Sequence, residues 1–78
     1  MQTTRIRVDA RGLSCPVPVI MTRHALETGS AEVIVEVLCD DVISACDVEV
    51  WVTSHGYVVM MRDNEAGSIR LTIAHLAR

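Results

Sequence analysis

The sequence predicts a small α/β domain in which helices cover one face of a mixed sheet, leaving the other face more exposed. Three observations carry that expectation. Short Val- and Ile-rich segments recur along the chain and read as strands. An apolar-periodic segment opening at Cys15-Pro16-Val17-Pro18 reads as a helix between the first two of them. The pair Asp40-Asp41 follows the second strand and offers an N-cap for another helix. The resulting order is β-α-β-(α)-β-β.

Taken in order, Arg5 to Val8 alternates, with Ile6 and Val8 on one side, and reads as the first strand. Asp9 to Ser14 is a loop in which Gly12 permits a backbone turn closed to other residues. Pro16 to Thr28 reads as a helix, with Val17, Ile20, Met21, His24 and Leu26 as its buried stripe and Gly29 as its stop. Glu32 to Leu38 is the second strand and ends at Cys39. Asp40 or Asp41 caps the next helix, whose first turn holds Val42, Ile43 and Ser44. Asp47 to Thr53 supports two readings. Val48, Val50 and Val52 alternate as in a strand, whereas Ile43, Cys46 and Val50 fit helical spacing equally well. Gly56 punctuates either one. Tyr57 to Arg62 and Ile69 to Ala74 form the last two strands, joined by a hairpin loop over Asp63 to Gly67.

The totals narrow the possibilities. Seventy-eight residues make one domain, near the lower size at which a core holds without staples. Half are hydrophobic, with no Phe, one Trp and one Tyr, so the core is aliphatic. The net charge of −3, with arginine as the only strong base, gives no basic surface for nucleic acid. No apolar run approaches the roughly 20 residues that cross a bilayer. The polar start Met-Gln-Thr-Thr-Arg does not resemble a secretion signal. Three cysteines without regular spacing fit a reducing cytoplasm better than a disulfide framework.

Cys15 is the focus of the chemistry. Pro16 at the first helical position makes Cys15 the expected N-cap, its sulfur facing the positive end of a helix dipole. A thiol so placed loses its proton more easily than a free cysteine and serves as nucleophile or sulfur carrier. With proline again at 18, Val17 supplies the one free amide of the first three helical residues. That cradle suits sulfur better than phosphate. If the first two strands pair in parallel, Cys15 and the segment Cys39-Asp40-Asp41 share the carboxyl edge of the sheet, where ligand chemistry gathers in α/β folds.

The run Asp9-Ala10-Arg11-Gly12-Leu13-Ser14-Cys15-Pro16-Val17-Pro18 resembles the signature of the TusA-like (SirA-like) sulfur-carrier family: Asp, then Gly, then Cys-Pro-x-Pro opening a helix. Arg23, the pair Asp40-Asp41, and Asp47-Val48 with Trp51 and Gly56 extend the match along most of the chain. The resemblance implies a two-layer α/β sandwich of order βαβαββ: a small mixed four-stranded sheet with two helices on one face, spanning residues 1–78 as a single domain. It thereby makes 42–54 a helix.

The resemblance also implies a sulfurtransferase activity without cofactor. Cys15 carries sulfane sulfur as a persulfide between a donor of cysteine desulfurase or rhodanese type and an acceptor sulfur-relay protein. Pro16 and Pro18 fix the helix start, Gly12 shapes the approach loop, and Asp9 opens the motif. Arg23 and Asp41 become partner contacts. Such relays feed tRNA thiolation, cofactor assembly, sulfur oxidation or selenium handling, and the sequence does not select among them. It departs from the family in three places: Val42 replaces the proline that commonly follows the aspartates, Ser30-Ala31-Glu32 replaces a Pro-Gly-Glu turn, and Cys39 is not required by the pattern.

Two other readings stand beside the relay. One is a redox-sensing or regulatory module in which Cys15 and Cys39 cycle between dithiol and disulfide. The other is a plain interaction domain that kept the fold without transfer. Cys39 reads as a resolving thiol in the first case and as an apolar filler otherwise. Cys46 and Trp51 read as core of the second helix, His24 as half-buried, His55 and His75 as surface residues, and Met60-Met61 as strand filler. The cysteine and histidine spacings match no common zinc pattern, so no metal site is expected.

Overall fold

The computed structural model describes residues 4–28 and 32–75. Six elements follow in the order β1 (Thr4–Asp9), α1 (Val17–Thr28), β2 (Val33–Cys39), α2 (Val42–Ser54), β3 (Val58–Glu65) and β4 (Ser68–His75). The strands form one four-stranded sheet in the order β1-β2-β4-β3, with β1 and β2 parallel and the remaining pairs antiparallel. This is the expected βαβαββ sandwich, and 42–54 is a helix despite its strand-like valines. The stop expected at Gly29 and the turn at Ser30-Ala31 lie outside the described residues.

Alternation sorts the strand residues between two environments. Val33, Val35, Val37 and Cys39 of β2 and Ile69, Leu71 and Ile73 of β4 meet Ala25 and Leu26 of α1 and Ala45, Val48 and Val52 of α2 in one core. Val8 closes that core on the β1 side. The helix-free face is mixed: Ile34, Leu38, Ala74 and Met61 share it with ion pairs. Arg5 pairs with Glu36 at 2.7 Å, while Arg70 bridges Asp63 at 2.8 Å and Glu65 at 2.9 Å. Opposite charges on neighbouring strands keep this face wetted and paired at the same time.

The helix ends follow their chemistry. The Asp41 carboxylate accepts the Ser44 N–H at 2.7 Å and so caps α2. At the other end the Tyr57 N–H reaches the Val52 carbonyl at 2.9 Å and the Gly56 N–H that of Thr53 at 3.3 Å. That is a Schellman closure, and the positive φ of 87° it demands falls on Gly56.

Three expectations about packing are corrected. The buried face of α1 is Pro18, Thr22, Ala25 and Leu26, whereas Val17, Ile20 and His24 point outward and Met21 is half-buried. Small residues win because α1 packs against α2 as well as the sheet, and close approach needs little bulk. Thr22 is tolerated inside because its hydroxyl donates to the Pro18 carbonyl at 2.8 Å. Cys46, expected in the core, is exposed on the outer side of α2. Trp51, expected as the largest core residue of that helix, is half-buried and stacks on His55 with ring centroids 4.1 Å apart.

The hairpin is also tighter than its composition suggested. Asp63, Asn64 and Glu65 belong to β3, and the turn is Ala66-Gly67 alone, both with positive φ. Arg70 draws Asp63 and Glu65 into strand register across the ladder. Near its start β3 carries a bulge, where Met60 interrupts the pairing between Val59 and Met61.

Candidate functional site

Parallel pairing sets Asp9 at the end of β1 beside Leu38 near the end of β2, so the two following segments share one edge of the sheet. The first is the loop 10–16, which carries Cys15. Asp9 opens it by folding back on Arg11, accepting the backbone N–H at 3.2 Å and guanidinium bonds at 2.8 and 2.7 Å. These Arg11 hydrogen bonds hold the Asp9 carboxyl down at about 2. Gly12 then turns with φ 78° and its N–H donates to the Asp40 carboxylate. Asp40 thus ties the loop to the segment after β2. The shared edge was expected from the parallel β1–β2 pairing; the Asp40 bond to the Gly12 N–H was not.

Ser14 to Val17 form a tight turn in which the Val17 N–H donates to the Ser14 carbonyl at 3.0 Å and the Cys15–Pro16 peptide is cis. The first bond of α1 runs from the Ile20 N–H to the Pro16 carbonyl at 3.1 Å. Pro16 therefore occupies the N-cap position and Cys15 precedes it, one residue earlier than expected. The Val17 amide is spent on the turn, so it does not face the sulfur as anticipated. Pro18 is buried, fixing the first turn of α1 against the body of the protein.

Cys15 is exposed. Its thiol is pushed up, not down: Asp47 acts on it as hydrogen-bond acceptor, then desolvation and the negative charges of Asp47 and Asp41 add to the effect. The expectation of an acidified thiol is overturned because α2 brings carboxylates to the sulfur, outweighing a helix start whose donors are few. Asp47 is the residue sequence reasoning missed. It was visible only as part of a match, since no local spacing connects 15 with 47.

The remaining candidates separate. Cys39 is fully buried in the core beneath the helices, and burial pushes its thiol up as well. A thiol sealed there reads as packing and does not meet Cys15 at the surface. Among the described cysteines Cys46 is the other exposed one, on α2 immediately before Asp47. Arg23 lies exposed on α1, where it pairs with Glu27 at 3.2 Å; Asp41 is committed to capping α2. His24 is exposed, not half-buried. No group of three or more His, Cys, Asp or Glu side chains suited to a metal occurs among the described residues.

Exposed apolar side chains share the surface near Cys15 with the Asp41 and Asp47 carboxylates. Leu13 and Val17 flank it along the chain, 40% and 38% exposed. Across the gap, Ile43 and Val50 stand one turn either side of Asp47 on α2, 72% and 68% exposed. An accessible thiol in an apolar collar fits an encounter with another protein.

An exposed single thiol on a loop, bracketed by two helix starts of a βαβαββ sandwich, defines a small α/β thiol protein built to meet partners. The family model described as "Sulfurtransferase TusA" matches residues 6–75, and the chain belongs to that family. It is 35% identical over 68 residues to a candidate sulfur carrier protein of Archaeoglobus fulgidus, covering 86% of this chain and 88% of the relative. It is also 30% identical over 70 residues to the candidate sulfur carrier protein YrkF of Bacillus subtilis. That match takes in 90% of this chain but only 38% of the longer Bacillus protein. Among solved structures, the SirA-like protein of Desulfitobacterium hafniense superposes with a TM-score of 0.78 at 33% identity, covering 91% of this chain and 97% of that one. The family carries a sulfur-relay role and with it the need for donor and acceptor proteins.

Proposed function

We propose that Cys15 carries the sulfur, as a persulfide, between two proteins that dock in turn on the apolar collar around it. Loading begins when the Cys15 thiolate attacks the outer sulfur of a protonated donor persulfide. The donor S–S bond breaks, the donor cysteine leaves as a thiolate carrying the charge, and Cys15 holds an S–SH group whose proton then passes to solvent. Delivery repeats the step with an acceptor thiolate as nucleophile and Cys15 as leaving group. Sulfur moves at constant oxidation level, so no cofactor or external oxidant enters.

The observation that carries this reading is the exposed Cys15 beside Asp47. A raised thiol pKa keeps the resting cysteine protonated and inert, and makes its thiolate the stronger nucleophile once formed. The same basicity makes Cys15 a poorer leaving group, so the persulfide is retained until an acceptor docks. A donor of cysteine desulfurase or rhodanese type and an acceptor sulfur-relay protein supply the two chemistries required. The site works inside a reducing compartment, where a lone thiol survives.

Intact-mass measurement after incubation with a persulfide donor tests this directly. The wild-type chain gains one sulfur, released by a thiol reductant, and Cys15→Ser gains none while Cys39→Ser and Cys46→Ser still load. Loading that persists in Cys15→Ser refutes the assignment.

A further inference from the structure

The two borders of the sheet are unlike. β3 is interrupted by its bulge at Met60, which disrupts any regular strand added beside it. β1 is regular over its whole length, with six consecutive residues from Thr4 to Asp9 in unbroken register with β2. Thr4 and Ala10 donate their N–H groups to the Glu32 and Leu38 carbonyls, so the even-numbered residues spend their backbone groups on β2. The N–H and C=O groups of Arg5, Arg7 and Asp9 therefore point out from the open edge. Beside that edge runs a groove of about 460 Å³, lined by Ile6 and Val8 of β1 and by Ile20, Met21, His24 and Ala25 of α1. Ile20 is 57% exposed above it.

We infer that this edge pairs with β1 of a second copy, antiparallel about a two-fold axis at Arg7, joining two sheets into one of eight strands. The sequence of the edge is what selects that occupant. In the Arg7-centred register, Arg5 stands opposite Asp9 of the second copy, and Asp9 opposite its Arg5. Those are two cross-strand pairs of opposite charge on the helix-free face, each extending an ion pair its members already make within the chain, Arg5 with Glu36 and Asp9 with Arg11. On the other face Ile6 meets Val8 of the second copy twice over, so the apolar alternation continues across the axis. Moving the axis to Ile6 would instead set Arg5 against Arg7 on both sides, so slippage in that direction is penalised. The like charges that remain, Arg7 facing its own copy, are each neutralised by Glu65 of the same chain at 3.7 Å. Arginines that would repel a basic strand thus favour this one.

The second layer agrees. α1 packs over β1 and β2. With strands about 4.8 Å apart and α1 set over β2 at least as much as over β1, the two α1 helices would lie about 10–14 Å from each other across the axis. Long apolar side chains span that distance. Ile20 and Met21 would then close on their counterparts, and the two grooves would merge into one apolar seam. The interface is small, so a weak, concentration-dependent dimer is expected, on the order of micromolar or weaker.

Sedimentation equilibrium of the full chain, from about micromolar to millimolar, tests the pairing. The wild type shifts reversibly toward twice the single-chain mass. Arg7→Pro removes an outward N–H and leaves the β1–β2 ladder untouched, so it weakens association at least about tenfold with unchanged far-UV circular dichroism. Ile20→Glu, a surface change, places two carboxylates across the seam and does the same without touching the backbone. A wild type that stays single at every concentration overturns the inference. So does a dimer that survives both changes, or a monomer whose β1 edge is protected only when a different protein is added.

Discussion

In the proposed relay Cys15 must eventually ionise, which makes a carboxylate beside it an unusual choice, and Asp47 suggests its own purpose. Holding the proton on Cys15 guards an exposed sulfur against adventitious oxidation, because thiolate fraction governs that reactivity. A docking partner that brings a positive group to Asp47, or screens it, would release the restraint at the moment of transfer. Asp47→Asn should therefore move the pH midpoint of Cys15 alkylation downward and raise the alkylation rate near neutral pH. Stopped-flow alkylation across a pH series, with Cys39 and Cys46 replaced by serine, measures both. A midpoint that does not move would remove Asp47 from the account. Part of the site's layout was legible beforehand: Asp9, Gly12 and Cys15 fall on one loop between β1 and α1, although the helix starts one residue later than its prolines suggested. What stayed hidden was the sign of the thiol shift. It depends on a residue from α2, brought in by tertiary packing that no local spacing encodes.

Among the elements, α2 decides how far pattern reading reaches. Its valines favour a strand, yet the Asp41 cap at one end and the Gly56 closure at the other define a helix of matching length. These ends and the packing of Ala45, Val48 and Val52 into the core outweighed interior propensity, since packing supplies most of a helix's stability in a protein. Both ends should be measurable. Asp41→Ala should cost about 1 kcal/mol, and Gly56→Ala about the same. At Gly56 nothing lies within 4 Å of the added methyl, so the cost there comes from the backbone angle alone. Urea denaturation of the two variants and the double variant reads these values. Costs near zero would mean the helix ends are set by the sheet beneath them. The faces of α1 and α2 were less readable, because Val17, Ile20, Ile43 and Val50 look the same in a sequence whether they fill a core or await a partner. Hydrophobicity marks what avoids water, not what covers it.

For the molecule as a whole, stability at low pH reports on the ion pairs of the helix-free face and the Asp9 turn. Arg11 hydrogen bonds hold Asp9 at about 2, and Arg70 lowers Asp63. Carboxylates depressed on folding add stability above their unfolded value of about 3.9 and lose it as pH falls through the folded value. Melting temperature should therefore decline between about pH 4 and pH 2. The decline should be modest, since these groups are exposed, and smaller still in high salt. Thermal melts of the wild type and of Arg70→Gln at several pH values check this, the variant showing the shallower slope. The general architecture was foreseeable at this scale because strand alternation and the parallel β1–β2 crossover leave few topologies for so short a chain, and the family resemblance decided between helix and strand at 42–54.

The kink at Met60 has a consequence for what happens when many copies crowd together. A sheet with two straight borders can recruit neighbours on both sides without end, which is the route to fibres. Here one border is spoiled, so stacking strand on strand runs out of template after a single addition. Straightening that border by deleting Met60 would turn a self-limiting surface into one that propagates.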